Sequence, residues 1–141
     1  MNARVAAGRL HAWAYAASRG RVGARVSGHP VLLLTTTGRR TGRPRTTPVQ
    51  YERIGDRLVL AAAAGGAPSE PAWSRNLRAN PDVVLQIGNR SMPATARVAG
   101  TSERAALWRA VWESNPAIAD AERKAGREIP LVVLDVRVRC G

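Results

Sequence analysis

A small α+β fold, six mostly antiparallel strands forming a barrel with helices at its ends, is what the sequence predicts, and three observations predict it. Apolar and β-branched runs of strand length recur between turn residues. Gly55-Asp56 and Gly88-Asn89 mark tight hairpins, and the helical stretches are short and bounded by prolines. At 141 residues the chain fits one domain with a core of its own.

Residues 3 to 18 are alanine-rich and place Leu10, Trp13, Ala14 and Ala17 on one helical face, which predicts a short amphipathic helix. That face suits packing on the domain or a partner chain. It also suits an anionic bilayer, with Trp13 and Tyr15 at the interface. A Gly/Arg-rich linker follows, so residues 1–27 are expected to form an N-terminal extension and 28–141 the barrel domain. Val31 to Thr36 reads as a buried strand between Pro30 and Gly38, and Arg45 to Ile54 as the next. Arg57 to Ala63 returns antiparallel, its alanines offering a flat wall against which a planar ring can lie. Ser69 or Glu70 ahead of Pro71 starts a helix that Asn80-Pro81 stops. Asp82 to Ile87 and Arg90 to Ala99 form a second hairpin. Thr101 or Ser102 caps a helix to about Ser114, in which Leu107 with Val111 and Trp108 with Trp112 are expected in the core. A short helix over 117–125 and a last strand over Ile129 to Val138 complete the chain.

Charge placement is more informative than the net value of +12. Nine arginines precede the first acidic residue, Glu52, whereas the remaining 90 residues carry 13 basic and 10 acidic groups. This asymmetry predicts a polyanionic partner: a multiply charged small molecule, nucleic acid or an anionic membrane surface. No apolar run approaches the roughly 18 to 20 residues of a membrane span. Cys140 is the only cysteine, which excludes an internal disulfide, and with only His11 and His29 beside it no zinc site is expected. A reduced, cytoplasmic compartment fits.

The charge concentrates in residues 35–48, TTTGRRTGRPRTTP. Gly38 and Gly42 supply backbone freedom, Thr35 to Thr37 supply hydroxyls, and Arg39, Arg40, Arg43 and Arg45 present planar forks matched to phosphate or carboxylate oxygens. That is the chemistry of an anion cradle. Nucleophile elbow, Walker lysine, HExxH and Rossmann glycine motifs are all missing. No catalytic side chain and no metal are therefore expected, and a reactive group must come from a bound cofactor.

TTTGRRTGRPRTTP, GDRLVLAAAAGGA, PAWSRNLRANP and REIPLVVL, in that order, resemble the deazaflavin-dependent nitroreductase family over about residues 28 to 137. The resemblance implies a split β-barrel and an F420H2-dependent reductase passing hydride to a quinone or an activated nitro or enone acceptor. F420 is a flat 5-deazaflavin with a phosphate and a polyglutamate tail. The resemblance assigns phosphate and tail to Thr37, Gly38, Arg39, Arg40, Arg43 and Arg45. It assigns the ring to Thr47, Pro48, Ala62, Ala63, Gly65, Gly66 and Trp73. The acceptor would meet Gln50, Asn115 and Ile118, where nitroimidazole-reducing members carry tyrosines, so efficient reduction of bulky nitroimidazoles is not expected. The alternatives are a barrel binding FMN, haem or another anionic planar group, and a nucleic-acid binder. The latter is disfavoured because the arginine loop has no aromatic residue on which bases would stack.

Overall fold

The computed structural model describes Tyr15, the backbone of residues 25–26, and residues 29–137. Strands β1 (Arg25–Val26), β2 (His29–Thr37), β3 (Pro44–Gln50), β4 (Glu52–Ile54) and β5 (Arg57–Ala61) come first. A 3-10 turn at Ala64–Gly66 and helix α1 (Ala72–Ala79) follow. Strands β6 (Asp82–Ile87) and β7 (Arg90–Val98), helices α2 (Thr101–Ser114) and α3 (Ala117–Ala125), and strand β8 (Leu131–Val136) complete the order. The fold is α+β, and every strand pairing is antiparallel.

The expected six strands are eight among the described residues, seven of them longer than the two-residue β1. The single strand expected over Arg45 to Ile54 is divided at Tyr51, because its two halves have different partners: β3 pairs with β2 and β4 with β5. The sheet runs β3-β2-β6-β7-β8-β5-β4, so its two ends are consecutive in the chain and one residue apart.

Strand alternation divides the apolar residues between two faces. Leu32, Leu34, Leu58, Leu60, Val83, Leu85, Val132 and Leu134 form one core with Leu77 of α1. Val59, Leu131 and Val133 face the other way and pack against Leu107 and Val111 of α2 and Ile118 of α3. Each of these leucines contributes about 1.5–3 kcal/mol by burial. The turn glycines Gly55 and Gly88 take φ of 63° and 61°, as tight hairpins require.

Helix termini differ from expectation. α1 starts at Ala72 behind Pro71 and α2 at Thr101 behind Gly100, neither with a side-chain cap. Glu70 instead accepts hydrogen bonds from Ser74 Oγ at 3.0 Å and Arg78 Nε at 3.0 Å. The last strand is shorter than expected. On α2 the Leu107 and Val111 pair is buried as expected, but Trp112 is 37 % exposed and Trp108 lies half-buried beneath the Arg104 guanidinium, 4.4 Å from its ring centroid. That helix carries apolar residues wider than the strip it buries.

The amphipathic helix over residues 3–18 lies outside the described residues except for Tyr15, a helical position. Tyr15 is buried; its hydroxyl donates to the Gln86 carbonyl at 3.3 Å and accepts from the Gly88 N–H at 2.9 Å. Burial raises its pKa, opposed by the Gly88 hydrogen bond.

Glu103 opens α2 and joins Arg97 of β7 and Arg57 of β5. The Arg97 hydrogen bond, followed by the Arg97 and Arg57 charges, holds its carboxyl below the usual glutamate value. A depressed folded-state pKa contributes stability above the unfolded value of about 4.3 and loses it as pH falls through the folded value. Glu103→Gln is therefore expected to destabilise the protein near neutrality and to flatten its stability profile below about pH 4.3. Thermal melts of both proteins between pH 7 and pH 3 check this.

Candidate active site

Helix α1, the arginine loop between β2 and β3, and the segment after β5 enclose a cleft of about 1050 Å³. The arginine loop folds on local chemistry. Gly38 N–H donates to the Arg43 carbonyl at 2.8 Å, and Gly42 N–H donates to the Gly38 carbonyl at 2.8 Å with Gly42 at φ 70°. A Cβ on Gly38 would lie 2.8 Å from Thr41 Oγ1 and 3.2 Å from the Arg43 carbonyl oxygen, so this close turn needs a glycine.

Asn76 of α1, 4 % exposed, secures the loop from below. Its Oδ1 accepts from the Arg39 backbone N–H at 3.2 Å and from Arg39 Nη1 at 3.1 Å, while its Nδ2 donates to Thr36 Oγ1 at 3.2 Å. Arg40, Arg43 and Arg45 are exposed and have no carboxylate partner among the described residues. The one acid lining the cleft among the described residues, Glu70, is committed to Arg78 and Ser74. The cleft therefore holds unneutralised positive charge at its arginine end. The apolar part of its lining is Pro48, Ala64, Ala67 and half-buried Trp73.

Of the residues assigned from sequence, Gly38, Arg39, Arg40, Arg45, Thr47, Pro48 and Trp73 line this cleft. Thr37 and Arg43 belong to the same loop region but do not line it; Thr36 does, being the strand position that turns inward. Ala62, Ala63, Gly65 and Gly66 border the cleft in sequence, while Ala64, Ala67 and Ser69 of that segment supply its wall. Ala62 is buried, and Gly66 packs under the Lys124 side chain of α3. Asn115 Nδ2 donates to Gln50 Oε1 at 3.1 Å, so the structure joins these two, and Ile118 is buried in the core beneath α2. None of the three lines the cleft. Sequence reasoning missed Asn76 and Glu70 as site residues, and the polar residues of PAWSRNLRANP were the available signal for Asn76.

A second cleft, about 730 Å³, has Leu58, Ile87 and Met92 at its floor and Arg57 and Arg97 at its edge. Glu103 bridges both of these arginines and Asp135 pairs with Arg97, while Arg53 and Arg90 also line it and have no ion pair among the described residues. Among the described residues no cluster of His, Cys, Asp and Glu is placed to hold a metal, and no helix is long and apolar enough to cross a membrane.

The sequence profile of the F420H(2)-dependent quinone reductases matches residues 7–136. The chain belongs to this family. An F420H(2)-dependent quinone reductase of Mycobacterium tuberculosis is 41% identical over 133 residues, covering 92% of this chain and 89% of that protein. The solved F420-H2 dependent reductase FDR-A superposes with a TM-score of 0.67 at 34% identity, over 75% of this chain and 94% of that one. A structure described as a domain-swapped dimer gives 0.69 at 30% identity, over 94% and 96% of the two chains. As a member of the F420H(2)-dependent quinone reductases, the protein is an oxidoreductase that uses F420, as its motifs implied. The family is described by quinone reduction, so the nitroreductase resemblance holds only loosely.

Proposed function

We propose that this protein reduces quinones with F420H2 bound in the α1 cleft, its phosphate and tail at the arginine loop and its ring end at the alanine-rich wall. The observation that carries the reading is the pair Arg40 and Arg45, which line the cleft with no carboxylate partner among the described residues, with exposed Arg43 beside them in the same loop. A phosphate with a carboxylate tail has the complementary charge, and bidentate arginine contacts favour it over water.

When bound, the reduced deazaflavin supplies the hydride. The protein's own contribution is placement. Asn76 fixes Arg39 at the mouth, Arg40 and Arg45 hold the anionic part, and Pro48, Ala64 and Trp73 offer a surface for a flat ring. Gly38 and Thr47 line the cradle, Thr37 and Arg43 flank it, and Ala62, Ala63, Gly65 and Gly66 form the turn that carries the wall residues Ala64 and Ala67. With one hydride delivered, a quinone needs a proton to become a quinol. Among the described residues the cleft is lined by no His, Cys, Tyr or Lys, and the one carboxylate there is engaged by Arg78 and Ser74, so the proton is drawn from solvent. We place the acceptor against Ala64 and Ala67, small lining residues that suit a compact quinone better than a bulky nitroimidazole; Asn115 and Ile118 are buried and act only by holding Gln50 and the α2–α3 core. Small activated nitro and enone compounds are secondary acceptors in the same proposal.

The accompanying fold is a split barrel, supported by the consecutive strands β3 and β4 at the two ends of the sheet and by the approach of β3 to β5. The domain-swapped relative favours a homodimer over a monomer, and light scattering decides between them. A cytoplasmic enzyme touching an anionic bilayer through residues 3–18 rests on amphipathic spacing, and deletion of residues 1–27 is expected to abolish liposome co-sedimentation. Turnover is the test of the activity. F420H2 oxidation should accelerate with a soluble quinone in proportion to enzyme, and oxidation no faster than the uncatalysed rate with every quinone offered would overturn the proposal.

A further inference from the structure

Arg127 occupies the first position of the REIP motif, whose cofactor role the resemblance leaves unassigned. Its guanidinium reaches back across the chain to the segment after β5. Nε donates to the Ala67 carbonyl at 3.2 Å, and Nη2 is within 3.1 Å of the Ala62 carbonyl, 3.2 Å of Ser69 and 3.4 Å of Ala63. It has no carboxylate partner among the described residues, because its neighbours Glu122 and Glu128 both pair with Arg104. One planar cation thus gathers four carbonyls of a single turn.

Within itself that turn is held only by backbone bonds, Gly66 N–H to the Ala63 carbonyl at 2.9 Å and Ala67 N–H to the Ala64 carbonyl at 3.2 Å. Residues 62–69, AAAGGAPS, have no long side chain. The backbone takes positive φ at three successive positions, Ala64 at 49°, Gly65 at 65° and Gly66 at 88°. Ala64 is the only non-glycine residue at positive φ among the described residues, a conformation that L-residues disfavour and that persists only where its surroundings enforce it. The side of Arg127 is rigid by contrast. Gly126 turns the chain at φ 66°, the Ile129 N–H donates to Glu122 Oε2 at 3.0 Å, and Arg104 Nε donates to the Ile129 carbonyl at 3.0 Å.

We infer that Arg127 is a positioning residue for the cofactor: its fork fixes the strained 62–69 turn so that Ala64, Ala67 and Ser69 form the wall of the cleft. The inference rests on the proposal that F420 occupies this cleft. Arg127 acts through the turn and touches no reacting atom.

The test compares wild type with R127A, R127K and the control R123A, whose arginine pairs with Asp120 on the exposed side of α3. In the cofactor-free proteins, amide exchange in residues 62–69 is expected to quicken about tenfold or more in R127A, with α1 unchanged. In turnover the apparent KM for F420H2 should rise about tenfold while kcat at saturation stays within about twofold, with R123A indistinguishable from wild type. A residue that only supports global folding would lower the active fraction, cutting kcat and leaving KM alone. If R127A does not fold, R127K carries the same comparison, because one ammonium cannot span the four carbonyls and the same changes are expected at smaller amplitude. Unchanged exchange, or faster exchange without a rise in KM, overturns the inference. A wild-type protein with no F420H2 turnover would sink the functional proposal instead, and the exchange comparison alone would then decide whether Arg127 shapes the wall.

Discussion

Arg45→Ala is expected to weaken F420 binding about tenfold to a hundredfold, the value of a charge-assisted contact worth roughly 1.5–3 kcal/mol. Arg45 is exposed on β3, borders the cleft and pairs with no acid among the described residues, so its removal orphans no carboxylate there. Stability should hardly move, because exposed substitutions of this kind usually fall within about 0.5 kcal/mol. The salt dependence of binding should weaken together with the affinity, since one screened attraction has gone. Titrations of both proteins at low and high salt check this, with thermal melts alongside. Unchanged affinity would remove the arginine loop from the site.

Asn76→Ala is expected to act on both fold and site. Three hydrogen bonds are lost from a residue 4 % exposed, and the Arg39 N–H and the buried Thr36 hydroxyl lose their partner. At about 1 kcal/mol each the loss is roughly 2–3 kcal/mol, read by urea denaturation. The arginine loop would then be free of α1, and cofactor affinity should fall in the folded variant as well. A variant as stable as wild type with full affinity would mean that Asn76 neither secures the loop nor shapes the cleft.

These two residues also show which parts of the molecule the sequence reveals. Arg45 sits in a run whose composition advertises its chemistry, so the cradle is legible locally. Asn76 is 37 residues from Arg39, and Arg127 is about 60 from the turn it gathers; neither pairing leaves a periodic or compositional trace. The hairpins at Gly55 and Gly88 and the proline-bounded α1 are legible because turn chemistry and helix breakers act over a few residues. The division at Tyr51 is not, because Arg45 to Ile54 is a continuous strand by pattern. Only the positions of β2 and β5 make its halves separate strands. All three hydroxyls Thr35 to Thr37 suit the cradle by composition, and the assignment of Thr37 rather than Thr36 to the cofactor differs from the structure for a related reason. A one-residue error in the phase of a strand exchanges the inward face for the outward one, and three consecutive threonines conceal that phase. Ile118 matched a family position by alignment of motifs, but its apolar side chain is used by the α2 and α3 core.

The central claim is that the α1 cleft is an F420 site. Equilibrium titration of the apo-protein with oxidised F420, in parallel with FMN, tests it most directly, following fluorescence of Trp73 at the cleft with a Trp73→Phe variant to identify the signal. Saturable, salt-sensitive quenching by F420, absent in Trp73→Phe and much weaker with FMN, is the predicted result. Quenching by FMN alone, or by neither, would contradict the assignment of this cleft.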